Sequence, residues 1–174
     1  MNEALVPDQI MTCKPADVYQ AMAKVAGSEL CRDSIRVLMA HSAFETGWWH
    51  YIHCYNFGNV KHFPGDGHNY CQFQCSEVIG GKKEIFTPPN AACSFVAFAS
   101  IDEGIRFYYA FMKTRYAFAW TSVVNSNPAD FCHKLKLGHY YTDNELHYTN
   151  SVVECFHMLN KWIPAEEPPP ANAA

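Results

Sequence analysis

Two glutamates stand where the sequence can put a carboxyl group to work. Glu45 lies four residues after His41, at the end of an apolar run that Gly47 is suited to terminate. A carboxylate in the last turn of a helix faces the negative end of the macrodipole, which disfavours its ionised form. Phe44, Trp48 and Trp49 flank it and are placed to exclude water, which pushes in the same direction. A carboxyl with a raised pKa keeps its proton near neutral pH and can deliver it to a leaving oxygen, the work of a general acid. The plain alternative is an exposed last-turn glutamate. Glu77 is the second candidate. On a strand over residues 70–79 it shares a face with Phe73 and Cys75, where a half-buried strand would carry an apolar side chain. It is therefore either at a fraying strand end or aimed into a cleft. His41 reads as a core histidine that can orient Glu45 from one turn below.

The cysteines offer other chemistry. His50, His53 and Cys54, taken with Cys71 and Cys75, are ligand types that suit zinc, but the spacing matches no familiar finger. No metal and no cofactor is expected. Eight cysteines in 174 residues, an even number, fit disulfides formed in an oxidising compartment. Cys71 and Cys75 cannot bond to each other on one strand. Four residues put their Cα atoms about 13 Å apart, beyond the roughly 7 Å reach of a disulfide. Their partners must come from elsewhere, and the sequence does not name them. Cys31, Cys132 and Cys155 fall on helical segments and read as buried thiols.

The composition narrows the class. Apolar residues make up 49% of the chain and charged residues 17%, enough for a packed core in one domain. Aromatic residues reach 15%, a supply that serves a core and can also stack on sugar rings. A formal charge of −4 without a basic stripe argues against a nucleic-acid partner. No apolar stretch is long enough to insert in a membrane, and residues 1–11 lack the pattern of a secretory signal. Export-like cysteine content without a signal suggests delivery by a machine that reads no signal peptide.

Several elements must position these residues. Pro15 opens a helix over 16–25 that ends near Gly27, and Ser28 is placed to cap a longer one running to Glu45. Leu30, Ser34, Val37, Leu38 and His41 follow the helical period on its buried face. Residues 50–67 read as a structured loop. The strand over 70–79, a Gly80-Gly81 turn and a return strand over 82–87 make a hairpin. Ser100 and Glu103 form a capping box for a helix to Arg115. Asn127-Pro128 opens a helix that Gly138 stops. Thr142 and Glu145 form a second box before Tyr148, Val152, Cys155, Phe156 and Leu159 at helical spacing. Residues 1–163 are expected to form the domain and 164–174 a disordered Pro/Ala-rich tail. The class is mainly α, with a small β-hairpin lobe.

Five segments, in order over about residues 28–160, resemble the glucosaminidase domain of glycoside hydrolase family 73. They are Ala43-Phe44-Glu45-Thr46-Gly47-Trp48; Asn56-Phe57-Gly58-Asn59-Val60-Lys61; Ser76-Glu77-Val78 before Gly80-Gly81-Lys82; the run from Ser94 to Gly104; and Gly138-His139-Tyr140-Tyr141-Thr142-Asp143. Val96 and Phe98 stand where that family carries an arginine and a tyrosine. The resemblance implies a lysozyme-like α+β fold with a cleft between a helical lobe and the hairpin. It implies an endo-β-N-acetylglucosaminidase that cuts the β-1,4 bond between N-acetylglucosamine and N-acetylmuramic acid in peptidoglycan. Glu45 becomes the general acid, Glu77 the second carboxylate and Tyr140 the third catalytic residue. Trp48, Asn56, Phe57, Lys61 and Tyr141 become the substrate-binding set. A hairpin glutamate facing a helix end suggests carboxyls far enough apart to admit water, hence inversion or assistance by the substrate N-acetyl group. A muramidase or lytic transglycosylase on the same fold, and an inactive peptidoglycan-binding protein, are the alternatives. The chain also resembles effectors injected by type VI secretion into the periplasm of a target cell, with a phage lysin as the other option. Such an effector is expected to be a monomer that acts on glycan strands and is checked by a cognate immunity protein.

Overall fold

The computed structural model describes residues 3–79 and 82–163. The tail 164–174 and the Gly80-Gly81 turn lie outside the described residues. Among the described residues six helices carry the fold: α1 (Pro15–Ala26), α2 (Arg32–Glu45), α3 (Ile101–Arg115), α4 (Ala117–Val124), α5 (Pro128–Leu137) and α6 (Glu145–Met158). Six short strands accompany them: β1 (Ile10–Met11), β2 (Ile52–His53), β3 (Tyr70–Gln72), β4 (Cys75–Ile79), β5 (Lys82–Phe86) and β6 (Ser94–Val96). All pair antiparallel, β1 with β2, β3 with β6 and β4 with β5. Among the described residues no helix is long and apolar enough to cross a membrane.

The core is built around α2, whose residues 34–43 are all buried. A helix covered on every side must satisfy its polar groups internally. The Ser34 hydroxyl donates to the Val124 carbonyl, the Ser42 hydroxyl to the Phe57 carbonyl, and the Arg36 guanidinium lies 3.7 Å above the Phe156 ring. Helices α1, α4, α5 and α6 pack around α2, and α3 packs on α1 and α4. Leu30, Ser34, Val37, Leu38 and His41 are buried as their period demands.

Several boundaries differ from the sequence reading. Helix α2 begins at Arg32, and its cap is the Cys31 sulfur, which accepts from the Ser34 N–H. Ser28 therefore lies outside it. Asn144 caps α6 by accepting from the His147 N–H, in place of the Thr142–Glu145 box. At α3 the Ser100 hydroxyl does accept from the Glu103 N–H, while the Glu103 carboxylate reaches the Ala99 N–H instead of that of Ser100. The sequence reading gave α4 no bounds of its own, and neither β1 nor β2 was expected, β2 falling within the 50–67 loop. The expected 70–79 strand is two strands with separate partners. Between them Phe73 turns aside to stack on Phe95 and His53, with ring centroids 4.2 and 3.6 Å away.

The end of α2 is a tight reversal. Gly47, Trp48 and Trp49 all take positive φ, and the Trp48 N–H donates back to the Ala43 carbonyl at 2.7 Å. Left-handed backbone is costly for the two tryptophans. Trp49 is held there by full burial and by its indole N–H donating to the Ser42 hydroxyl.

Candidate active site

Glu45 projects from the last turn of α2 into a cleft of about 590 Å³. The loop from Gly58 to Lys61, the α3 face and the segment from His139 to Tyr141 form its walls. Only 16% of the carboxyl side chain is exposed. Burial raises its pKa to about 7, against the opposing pull of hydrogen bonds from Tyr148 and Asn59. The Tyr148 hydroxyl, on α6, donates to Oε1 at 2.5 Å. Oε1 is thus occupied as an acceptor.

Behind Glu45 sits His41, wholly buried, its Nε2 3.8 Å from Oε1. The Tyr108 hydroxyl donates its one hydrogen to the Leu38 carbonyl at 3.1 Å and lies 2.7 Å from His41 Nδ1. Both bonds form only if Nδ1 carries the imidazole hydrogen and donates it to Tyr108. Nε2 then presents a bare lone pair toward Glu45 and makes no hydrogen bond of its own. Burial lowers the His41 pKa to about 3, so the ring stays neutral. A lone pair facing Oε1 opposes added negative charge there and favours the protonated acid.

Tyrosines complete the wall. The Tyr140 hydroxyl donates to the Gly58 carbonyl at 2.7 Å, and its ring meets His41 edge-on at 4.8 Å. Tyr141 stacks flat on Tyr148 at 3.6 Å and donates to the Cys132 carbonyl, so it braces the tyrosine that seats the acid. Burial raises the phenols of Tyr140 and Tyr148 well above their ordinary value, so both remain neutral donors.

This arrangement, a desolvated carboxylic acid in an aromatic-walled groove, suits protonation of a glycosidic oxygen. The sequence agrees at the level of family. Residues 21–161 match the glucosaminidase family, described as mannosyl-glycoprotein endo-beta-N-acetylglucosaminidase. The chain belongs to that family. It is a glycoside hydrolase of family 73 with the lysozyme-like fold. Three solved structures share the fold. A peptidoglycan hydrolase mutant from Sphingomonas sp. A1 is 19% identical with a TM-score of 0.60, over 84% of this chain and 92% of that one. The truncated glycoside hydrolase domain of FlgJ from Salmonella typhimurium is 17% identical with a TM-score of 0.56, over 85% and 99%. The catalytic domain of the autolysin Auto from Listeria monocytogenes is 16% identical with a TM-score of 0.60, over 84% and 82%. A comparison with curated proteins returns no match.

Within this glucosaminidase fold the anticipated residues separate into two groups. Glu45, Lys61, Tyr140 and Tyr141 line the cleft. Asn56 and Phe57 do not, because both are sealed beneath the loop. The Asn56 amide donates to the carbonyls of Val60 and Val96 and so shapes the loop rather than meeting a sugar. Trp48 is half-buried, packs edge-on against Trp49, and stands outside the cleft lining. Lys61 points its ammonium at the Ala92 carbonyl, 2.6 Å away, and over the Phe95 ring. Glu77 lies on β4, its backbone opposite Glu84. Its side chain is outside the described residues. Of the histidine and cysteine set weighed for zinc, Cys54 and Cys71 gather with Asp8, their ligand atoms within 4.8 Å of one another, and His53 Nδ1 lies 2.8 Å from the same Asp8, whereas Cys75 turns away to Cys93.

The sequence reading passed over Phe63, His68, Phe107, Phe111, Arg115, Tyr116 and His139 in the cleft and Tyr148 against the acid. Phe107, Phe111 and Arg115 carried a usable signal, since they recur every four residues along one face of α3. Tyr148 carried none beyond its place on the buried face of α6.

Proposed function

We propose that this glucosaminidase cleaves the β-1,4 bond between N-acetylglucosamine and N-acetylmuramic acid in peptidoglycan, with Glu45 as general acid. The observation that carries the reading is the buried Glu45 carboxyl, held by Tyr148 at Oε1 in the wall of an aromatic cleft. The peptidoglycan substrate is supported by the fold shared with the Sphingomonas hydrolase and the Listeria autolysin. Phe63, Phe107 and Phe111 present faces on which sugar rings can stack, and Phe63 is 68% exposed. Glu77, on the β4–β5 hairpin, acts as the second carboxylate, and the product inverts or forms with help from the substrate N-acetyl group.

The enzyme meets its substrate in the periplasm of a target cell as a secreted antibacterial effector delivered by type VI secretion, opposed in the producer by an immunity protein. The eight cysteines support work in an oxidising compartment. Directing the protein to the periplasm of a test bacterium should lyse it, whereas cytosolic expression should not. Equal tolerance of both would remove the effector reading.

Release of muropeptides from purified peptidoglycan tests the reaction itself. Wild type should leave N-acetylglucosamine at the new reducing end, and Glu45→Gln should lose about 10²–10⁴-fold in rate. N-acetylmuramic acid or its anhydro form at that end would assign the chain to muramidase or transglycosylase chemistry. An inactive wild type that still sediments with peptidoglycan would make it a binding protein.

A further inference from the structure

The hairpin of β4 and β5 is joined to the molecule at its base. Among the described residues its strands hydrogen-bond to each other and to no third strand. A two-stranded hairpin by itself is marginal in water. The chain leaves the β3–β6 pair at Gln72 and rejoins it at Ser94, and these two residues are partners in register. Both hairpin strands, and with them the Glu77 backbone, lie in the chain between those two points.

At the junction Cys75 opens β4 and Cys93 immediately precedes β6, and their Sγ atoms are 2.7 Å apart. Both stand as thiols in the structure, and their sulfurs are in direct contact. Cys93 is fully buried and Cys75 partly so, which makes Cys75 the thiol a solution reagent meets first. Lys61 Nζ lies 3.8 Å from the Cys75 sulfur, which sets a cation beside the more accessible of the two sulfurs. Cys54 and Cys71 also lie near each other. They sit beside segments already tied by the β1–β2 and β3–β6 pairs, so a bond between them would restrain little that is free.

We propose that Cys75 and Cys93 form a disulfide that clamps the two ends of the hairpin lobe, and that the hydrolase reaches full rate only in this oxidised form. The oxidant is a small or protein disulfide. The Cys75 thiolate attacks one of its sulfurs and expels a thiolate, giving a mixed disulfide. Cys93 loses its proton and attacks the Cys75 sulfur, expelling the second thiolate. Two protein thiols become one disulfide as one carrier disulfide becomes two thiols. The bond closes a separation of 18 positions that contains both hairpin strands, and so restricts where Glu77 can stand relative to Glu45. The effect on rate rests on the hydrolase reading above, but the bond does not.

The test treats the purified protein with oxidised glutathione, caps remaining thiols, digests it and maps linked peptides by mass. A Cys75–Cys93 peptide lighter by two hydrogens is expected; capping of both residues, or pairing of either elsewhere, would overturn the bond. Muropeptide release is then compared for oxidised wild type, reduced wild type and Cys75→Ser. Reduction should slow wild type by up to about 10²-fold, the scale of a misplaced catalytic group, and Cys75→Ser should be slow in both conditions. Equal rates from oxidised and reduced wild type with the bond mapped would overturn the rate effect. Absence of turnover in every form would defeat the hydrolase reading, and the peptide map would still decide the bond.

Discussion

Removing the Tyr148 hydroxyl should make Glu45 hold its proton more tightly, because that hydroxyl stabilises the ionised carboxylate by donating to Oε1. With Tyr148→Phe the burial that lifts the pKa to about 7 goes unopposed on that oxygen. The alkaline limb of the pH profile of kcat/KM should move above that of wild type, and a limb that stays or falls would refute the assignment. The sequence pointed to Glu45 through its apolar neighbours, yet Trp49 turns its indole inward to Ser42. The shell that dries the acid is made instead by His41 with Tyr108, Tyr140 and Tyr148, which come from α3, the segment before α6, and α6 itself. Asn56 and Phe57, expected from the sequence to bind substrate, are buried beneath the loop for a related reason. A loop motif marks residues that shape a loop as clearly as residues that touch a ligand, and only burial tells them apart.

Helix α3 is fixed to the β2 end of the fold at Gly104, where the Tyr55 carbonyl oxygen would sit 2.0 Å from any added Cβ. Backbone cannot yield as a flexible side chain can, so Gly104→Ala should cost about 2–3 kcal/mol in urea unfolding. A change within error would mean that α3 can shift freely. Element boundaries were legible where a local signal decides them: Pro15 and Gly27 bracket α1, Ser100 caps α3, and Asn127-Pro128 opens α5. They were illegible where a distant partner decides. The stretch 70–79 alternates like one strand, but β6 claims its first part and β5 its second. Helix α4 is almost wholly apolar, AFAWTSVV, and so lacks the period that would have revealed it.

For the whole molecule the site imposes opposite pH dependences on stability. Glu45 has a folded pKa of about 7 against an ordinary 4.5, so the native state binds its proton more tightly than the unfolded chain. That contribution is fully present below about 4.5 and is lost as pH rises through about 7, on the order of 3 kcal/mol in all. His41, lowered from 6.5 to about 3, acts the other way: its contribution is present above 6.5 and lost as pH falls toward 3. Urea midpoints for wild type should therefore decline toward both acid and alkali. Glu45→Gln removes the alkaline decline, so its stability advantage should be larger at pH 8 than at pH 4. A difference independent of pH would show that the carboxyl is not desolvated.

The acid and the hydroxyl that seats it are separated by 103 positions along the chain. During synthesis Glu45 emerges early and would sit open to water, an ordinary carboxylate without a proton to give at neutral pH. The chain becomes chemically competent only after α6 has left the ribosome and folded back onto α2, so translation itself keeps the nascent enzyme inert until nearly all of the domain has been made.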